Sequence, residues 1–220
     1  MRRVGAGTMF RATRFALLVL LLAVVCGWSA TAATAGTSKI LAFGDSLTAG
    51  FGLPSEQGFP AQLEKRLRAG GIDVQVINGG QSGDTTAGGL ARLDWSLADK
   101  PDLVILELGA NDMLRAIPPA SVRANLDKLI GKIKESGAKL LLTGMQASPN
   151  WGKKYEEEFN PIYPELARLH GVALYPFFLE DVVMNPELNQ PDGLHPNARG
   201  VALIVEGIAP CVAELLGEGS

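Results

Sequence analysis

The sequence predicts an α/β fold, a single domain built on a five-stranded parallel sheet with helices on both faces. Three observations predict it. Five short apolar runs alternate with longer segments of helical periodicity over residues 36–220, the pattern of successive strand–helix–strand units. One run, Leu103-Val104-Ile105-Leu106, is apolar without interruption, as expected of a strand buried on both faces. Polar segments rich in turn-forming residues follow the first three runs, and open α/β sheets bind ligands at those carboxyl ends.

The elements follow in order. The first strand covers Ile40–Gly44 and is broken by Gly44-Asp45-Ser46. Phe59–Ala69 is a helix: Phe59, Leu63 and Leu67 share a face, Pro60 stands near the start, and Gly70-Gly71 closes it. Val74–Asn78 is the second strand and Thr86–Ala98 the next helix. The continuous run sets the third strand within Pro101–Leu108. In Ser121–Ser136, Val122, Leu126, Leu129 and Ile133 line one face, and Gly137 stops the helix. Lys139–Thr143 is the fourth strand. Lys153–His170 is helical in composition, with Pro161 and Pro164 expected to interrupt it. Val172–Tyr175 is the fifth strand and Ala198–Leu216 a terminal helix. No internal repeat or low-complexity linker divides the series. A chain of 220 residues, 47% hydrophobic, suits one core.

The N-terminus is of another kind. Arg2, Arg3, Arg11 and Arg14 precede the apolar run Phe15 to Trp28, and small residues follow. A basic region, a short apolar region and an Ala-x-Ala site describe a secretory signal peptide over residues 1–35. Ala30-Thr31-Ala32 and Ala33-Thr34-Ala35 both offer the cleavage pattern. The run is short for a membrane span of ~20 residues. Cys26 lies inside it, but bulky Val25 before the cysteine argues against lipid attachment. Cleavage leaves Cys211 alone, in an apolar segment that suits a core residue. A formal net charge of −3 gives no nucleic-acid footprint.

Candidate chemistry gathers in the loops. Ser46 ends the first strand, where a nucleophile or a helix-capping serine would both fit. Thr48 stands where a Gly-x-Ser-x-Gly elbow would have its second glycine, which disfavours an ordinary α/β-hydrolase. A serine nucleophile needs a base, and the chain has two histidines. His170 precedes Gly171 at a helix end, a structural position. His195 follows Asp192 by three residues in a Gly/Pro-rich turn. That spacing lets Asp192 hold one ring nitrogen while the other faces Ser46. Gly83 is either a flexible turn residue or a backbone N–H donor to an oxyanion. Asn111 is either a turn residue or a side-chain donor to the same charge, with Asp112 bonding loop backbone. Asp45, Asp192 and His195 could be weighed as metal ligands, but one histidine and scattered carboxylates lack ligand spacing.

Gly44-Asp45-Ser46-Leu47, the Gly83 segment, Gly109-Ala110-Asn111-Asp112 and Asp192-Gly193-Leu194-His195 together resemble the blocks of the SGNH (GDSL) hydrolases, in the family's order. The similarity runs over nearly all of Lys39–Leu216. Gly83-Asp84-Thr85, Gly89-Leu90-Ala91-Arg92-Leu93, Glu107-Leu108-Gly109 and Tyr175-Pro176-Phe177-Phe178 resemble, more narrowly, the bacterial periplasmic acyl-CoA thioesterase I / lysophospholipase L1 / arylesterase group. The resemblance implies a flavodoxin-like three-layer α/β/α fold and hydrolysis of acyl esters or thioesters. It implies Ser46 as nucleophile, His195 as base, Asp192 as its orienter, and an oxyanion hole from the Ser46 N–H, the Gly83 N–H and the Asn111 amide. It also implies a small-molecule substrate, no cofactor or metal, and a periplasmic or secreted monomer without a stable membrane anchor after cleavage. Met113, Leu114 and Ile117 would border an acyl groove or pack on their own helix. Trp151, Tyr155 and Phe159 pose the same alternative. A carbohydrate acetylesterase, or a non-catalytic envelope module on the same scaffold, is the competing expectation.

Overall fold

The computed structural model describes Met1 and residues 36–217; the expected signal peptide lies outside the described residues. The elements are β1 (Ser38–Gly44), α1 (Ser46–Ala49), α2 (Phe59–Ala69), β2 (Val74–Gly80), α3 (Thr86–Ser96), β3 (Leu103–Glu107), α4 (Ala110–Leu114), α5 (Pro119–Glu135), β4 (Lys139–Thr143), α6 (Lys153–Phe159), α7 (Ile162–His170), β5 (Ala173–Tyr175) and α8 (Ala198–Gly217).

The five strands form one parallel sheet in the order β2-β1-β3-β4-β5. This is the flavodoxin-like order, and it reverses between β1 and β3. The chain leaves β1 for β2 on one side and crosses to β3 on the other. Right-handed crossovers then require the intervening helices α2 and α3 to cover opposite faces. Accordingly, α2 packs with α8, while α3 packs with α5 and α5 with α7. The loops after β1 and β3 diverge at the reversal and leave a crevice. Register sets Gly44 beside both Gly80 and Glu107, so the ends of the three strands meet there.

Every residue of β3 is buried, as its continuous apolar run requires. Helix α5 buries Val122, Leu126, Leu129, Ile130 and Ile133 along one stripe. Helix α8 is apolar enough, by length and composition, to cross a membrane. Its Val201, Ile204, Val205 and Ile208 are nonetheless buried in the core.

The expected elements all form, with shifted bounds. Helix α3 ends in a 3-10 turn over Leu97–Asp99. The segment Lys153–His170 divides once, at Asn160-Pro161, between α6 and α7. Pro164 does not interrupt it, because it falls in the first turn of α7, where a backbone N–H would have no intrahelical acceptor. Two short helices, α1 and α4, were not expected; four or five residues are too few to show a helical period.

Candidate active site

Strand β1 ends at Gly44, where a Cβ would run into the Thr48 hydroxyl and the Glu107 carboxylate. Glycine at that point lets the chain turn directly into α1. Asp45 caps α1 and accepts the Leu47 N–H at 3.0 Å. Ser46 is the first residue of the helix, so its N–H has no intrahelical acceptor. Its hydroxyl lies 2.9 Å from His195 Nε2.

The other imidazole nitrogen, Nδ1, is 2.7 Å from Asp192 Oδ2. Asp192 Oδ1 accepts the backbone N–H of Leu194 at 2.9 Å and of His195 at 3.0 Å. Those bonds, the His195 N–H foremost, hold the Asp192 carboxyl down at about 2. Asp192 therefore orients the ring while remaining ionised. Gln190 braces the turn: its N–H donates to the His195 carbonyl at 2.7 Å, and its amide donates to the carbonyls of Phe51 and Pro196. The Phe51 ring lies against the imidazole, 4.6 Å between centroids.

Two further segments converge. Gly83 has φ of +85°, a left-handed backbone that favours glycine. Its carbonyl accepts from Arg115 Nη2 at 2.9 Å, and no acceptor among the described residues takes its N–H. Asn111 sits in the first turn of α4 and donates Nδ2–H to Asp45 Oδ2 at 3.0 Å. One amide hydrogen remains for a ligand. Arg115 links the two segments, since its own N–H bonds the Asn111 carbonyl. Asp112 is fully buried and accepts both the N–H and the hydroxyl of Thr86. It anchors the start of α3, a structural role as expected. His170 is also structural: it closes α7 and bonds Asp127.

A layer of buried polar groups beneath the turn is not visible in the sequence. Glu107 Oε2 accepts the Thr48 hydroxyl at 2.7 Å and the Asp45 N–H at 3.3 Å, while Oε1 has no partner among the described residues. Burial, with the Asp45 charge beside it, pushes the Glu107 carboxyl well above its ordinary value. Burial pushes Asp45 up to about 6, although the Leu47 N–H, the Asn111 amide and His195 favour its charged form. Arg92 lies over the Phe43 ring, pairs with Asp84 at 2.6 Å and donates to the carbonyls of Gly44 and Gly79. It joins the carboxyl ends of β1 and β2 to α3. No local pattern marks Asp45, Glu107 or Phe51 for these positions; Arg92 stood only within a family-like segment.

The expected groove residues are divided. Leu114 is exposed, whereas Met113 and Ile117 are half-buried against the core. Tyr155 donates to the Ile117 carbonyl, Trp151 is exposed beside Tyr155, and Phe159 is wholly buried. Phe159 is thus a core residue.

Carboxylate, imidazole and hydroxyl in one hydrogen-bonded series, set at the reversal of a parallel sheet and off any Gly-x-Ser-x-Gly elbow, define a class of serine hydrolase. The profile of the GDSL-like Lipase/Acylhydrolase family matches residues 42–203. An arylesterase of Vibrio mimicus is 46% identical over 193 residues, covering 87% of this chain and 96% of that protein. Esterase TesA of Pseudomonas aeruginosa is 44% identical over 183 residues, covering 83% and 91%. The crystal structure of AlinE4, an SGNH-hydrolase family esterase, superposes with a TM-score of 0.69 at 48% identity, covering 82% of this chain and 97% of that one. The chain belongs to the GDSL-like lipase/acylhydrolase family and is a carboxylic ester hydrolase.

Proposed function

We propose that the chain hydrolyses small acyl esters or thioesters through an acyl-enzyme on Ser46. His195 Nε2 takes the Ser46 proton as the oxygen attacks the acyl carbon, and Asp192 stabilises the imidazolium through Nδ1. The tetrahedral oxyanion draws on the Ser46 N–H, the Gly83 N–H and the Asn111 amide. Collapse breaks the bond to the leaving group, which takes the proton from His195. Water then repeats the sequence on the acyl-enzyme and restores Ser46. The exposed side chain of Leu114 suits the acyl side. The basic, apolar leader supports export to the periplasm or outside.

The observation that carries this reading is the unbroken series Asp192–His195–Ser46, with distances of 2.7 Å and 2.9 Å. Ser46→Ala should abolish hydrolysis of p-nitrophenyl acetate and leave the fold intact. A fluorophosphonate should label the wild type at Ser46 alone. Labelling elsewhere, or retained turnover in Ser46→Ala, overturns the assignment. A panel of p-nitrophenyl esters from acetyl to palmitoyl, run beside an acyl-CoA and a lysophospholipid, assigns acyl length and thioester use.

A further inference from the structure

Phe51 is held in a way its surroundings do not require for folding. It is 49% exposed, so it contributes little to the core. Its backbone is nevertheless tied at both ends to the site. The Phe51 N–H donates to the Ser46 carbonyl at 3.1 Å, and its carbonyl accepts the Gln190 amide at 2.7 Å. Gln190 in turn bonds the backbone of His195. The ring is thereby fixed to the nucleophile's helix and to the base's turn together, with its centroid 4.6 Å from the imidazole centroid and the planes tilted by 36°.

We infer that Phe51 is the platform for the leaving-group side of the ester, and that it favours aromatic alcohols. The argument rests on the reading of Ser46 and His195 given above. In acylation the departing oxygen has to receive its proton from His195 Nε2, so it lies within hydrogen-bond reach of that atom. The ring beside that imidazole leaves half its surface uncovered, and the first carbons of the departing alcohol pass it. The acyl chain lies on the other side of the carbonyl carbon and need not touch Phe51. An aromatic alcohol can meet the ring in an offset or edge-to-face geometry; a saturated ring of similar size gains only apolar contact.

Benzyl acetate and cyclohexylmethyl acetate share the acyl group and have alcohols of similar size and basicity. They isolate the aromatic term. Their kcat/KM values report acylation, in which the alcohol is still bound, so slow deacylation does not mask the difference. The ratio of benzyl to cyclohexylmethyl kcat/KM should fall roughly three- to tenfold in Phe51→Leu. Phe51→Tyr should keep the wild-type ratio. An equal loss on both esters in Phe51→Leu would show that Phe51 only steadies His195, and a ratio unchanged in Phe51→Leu would remove the inference outright. Ser46→Ala measured on the same esters separates the two levels: turnover surviving there overturns the mechanism itself, whereas an inert Ser46→Ala with an unmoved Phe51→Leu ratio overturns only the platform. Melting temperatures of both Phe51 variants should stay near wild type, because the ring is not a core group.

Discussion

Asn111 and Glu107 show how one side chain can serve chemistry and another the scaffold beneath it. Asn111 has one amide hydrogen on Asp45 and another directed to no protein group among the described residues. Asn111→Ala should lower kcat by ~10²–10³-fold with little change in KM, because the oxyanion exists only in the transition state. Asn111→Asp should be as poor or worse, since it donates no hydrogen bond when ionised and sets a second carboxylate beside buried Asp45. Asp112→Ala removes the acceptor of two Thr86 bonds and should lower the melting temperature while kcat per folded molecule holds. If all three variants behave alike in both measurements, the division of labour is wrong. Glu107 supplies a pH test. Its folded value is raised above the ordinary 4.5, so the fold prefers the neutral carboxyl. That preference is complete below 4.5 and is lost as pH climbs through the raised value. Between about pH 5 and pH 8 the wild type should therefore lose melting temperature relative to Glu107→Gln, whose amide does not titrate. Parallel stability curves for the two proteins would contradict this.

At the level of elements, the site depends on strand ends being held in register. Arg92 on α3 binds the carbonyls of Gly44 and Gly79, at the ends of β1 and β2, and pairs with largely buried Asp84. Arg92→Ala should cost about 3–5 kcal/mol by leaving Asp84 uncompensated, seen in calorimetry as a drop of roughly 6–20 °C. Arg92→Lys should recover only part of it, because an ammonium cannot reproduce the fork that reaches three acceptors. A near-wild-type melting temperature for Arg92→Ala would show that the strand ends hold without it. Leu126 in α5 is fully buried and belongs to the core stripe. Leu126→Ala should cost about 2–5 kcal/mol with kcat per folded molecule unchanged. A kcat loss there would mean that the helix layer tunes the site as well as supporting it.

For the whole molecule, the leader is the first thing to test. Expressed with its own N-terminus, the chain should yield a secreted product beginning between Ala30 and Ser38, read by intact mass. A product retaining Arg2 to Trp28 would favour an anchor. The rest of the molecule divides cleanly by the range of the forces involved. Alternation of apolar runs and helical stripes was legible along the chain, and with it the parallel sheet and its layers, because side-chain period is a local property. The sequence by itself also determined the candidates Ser46, Asp192 and His195: Asp192 and His195 lie in one turn, and Ser46 ends a readable strand. Tertiary structure decided what the chain separates. Asp45 reaches Asn111 across 66 positions, and Glu107 reaches Thr48 across 59. Phe51 meets His195, and Arg92 spans two strand ends. These contacts follow from strand order and from the register that sets Gly44 beside Gly80 and Glu107, and neither is written in any local period. The division between half-buried Met113 and Ile117 and exposed Leu114 likewise depended on how α4 packs, since a helix of five residues has too few turns for its sequence to declare a face.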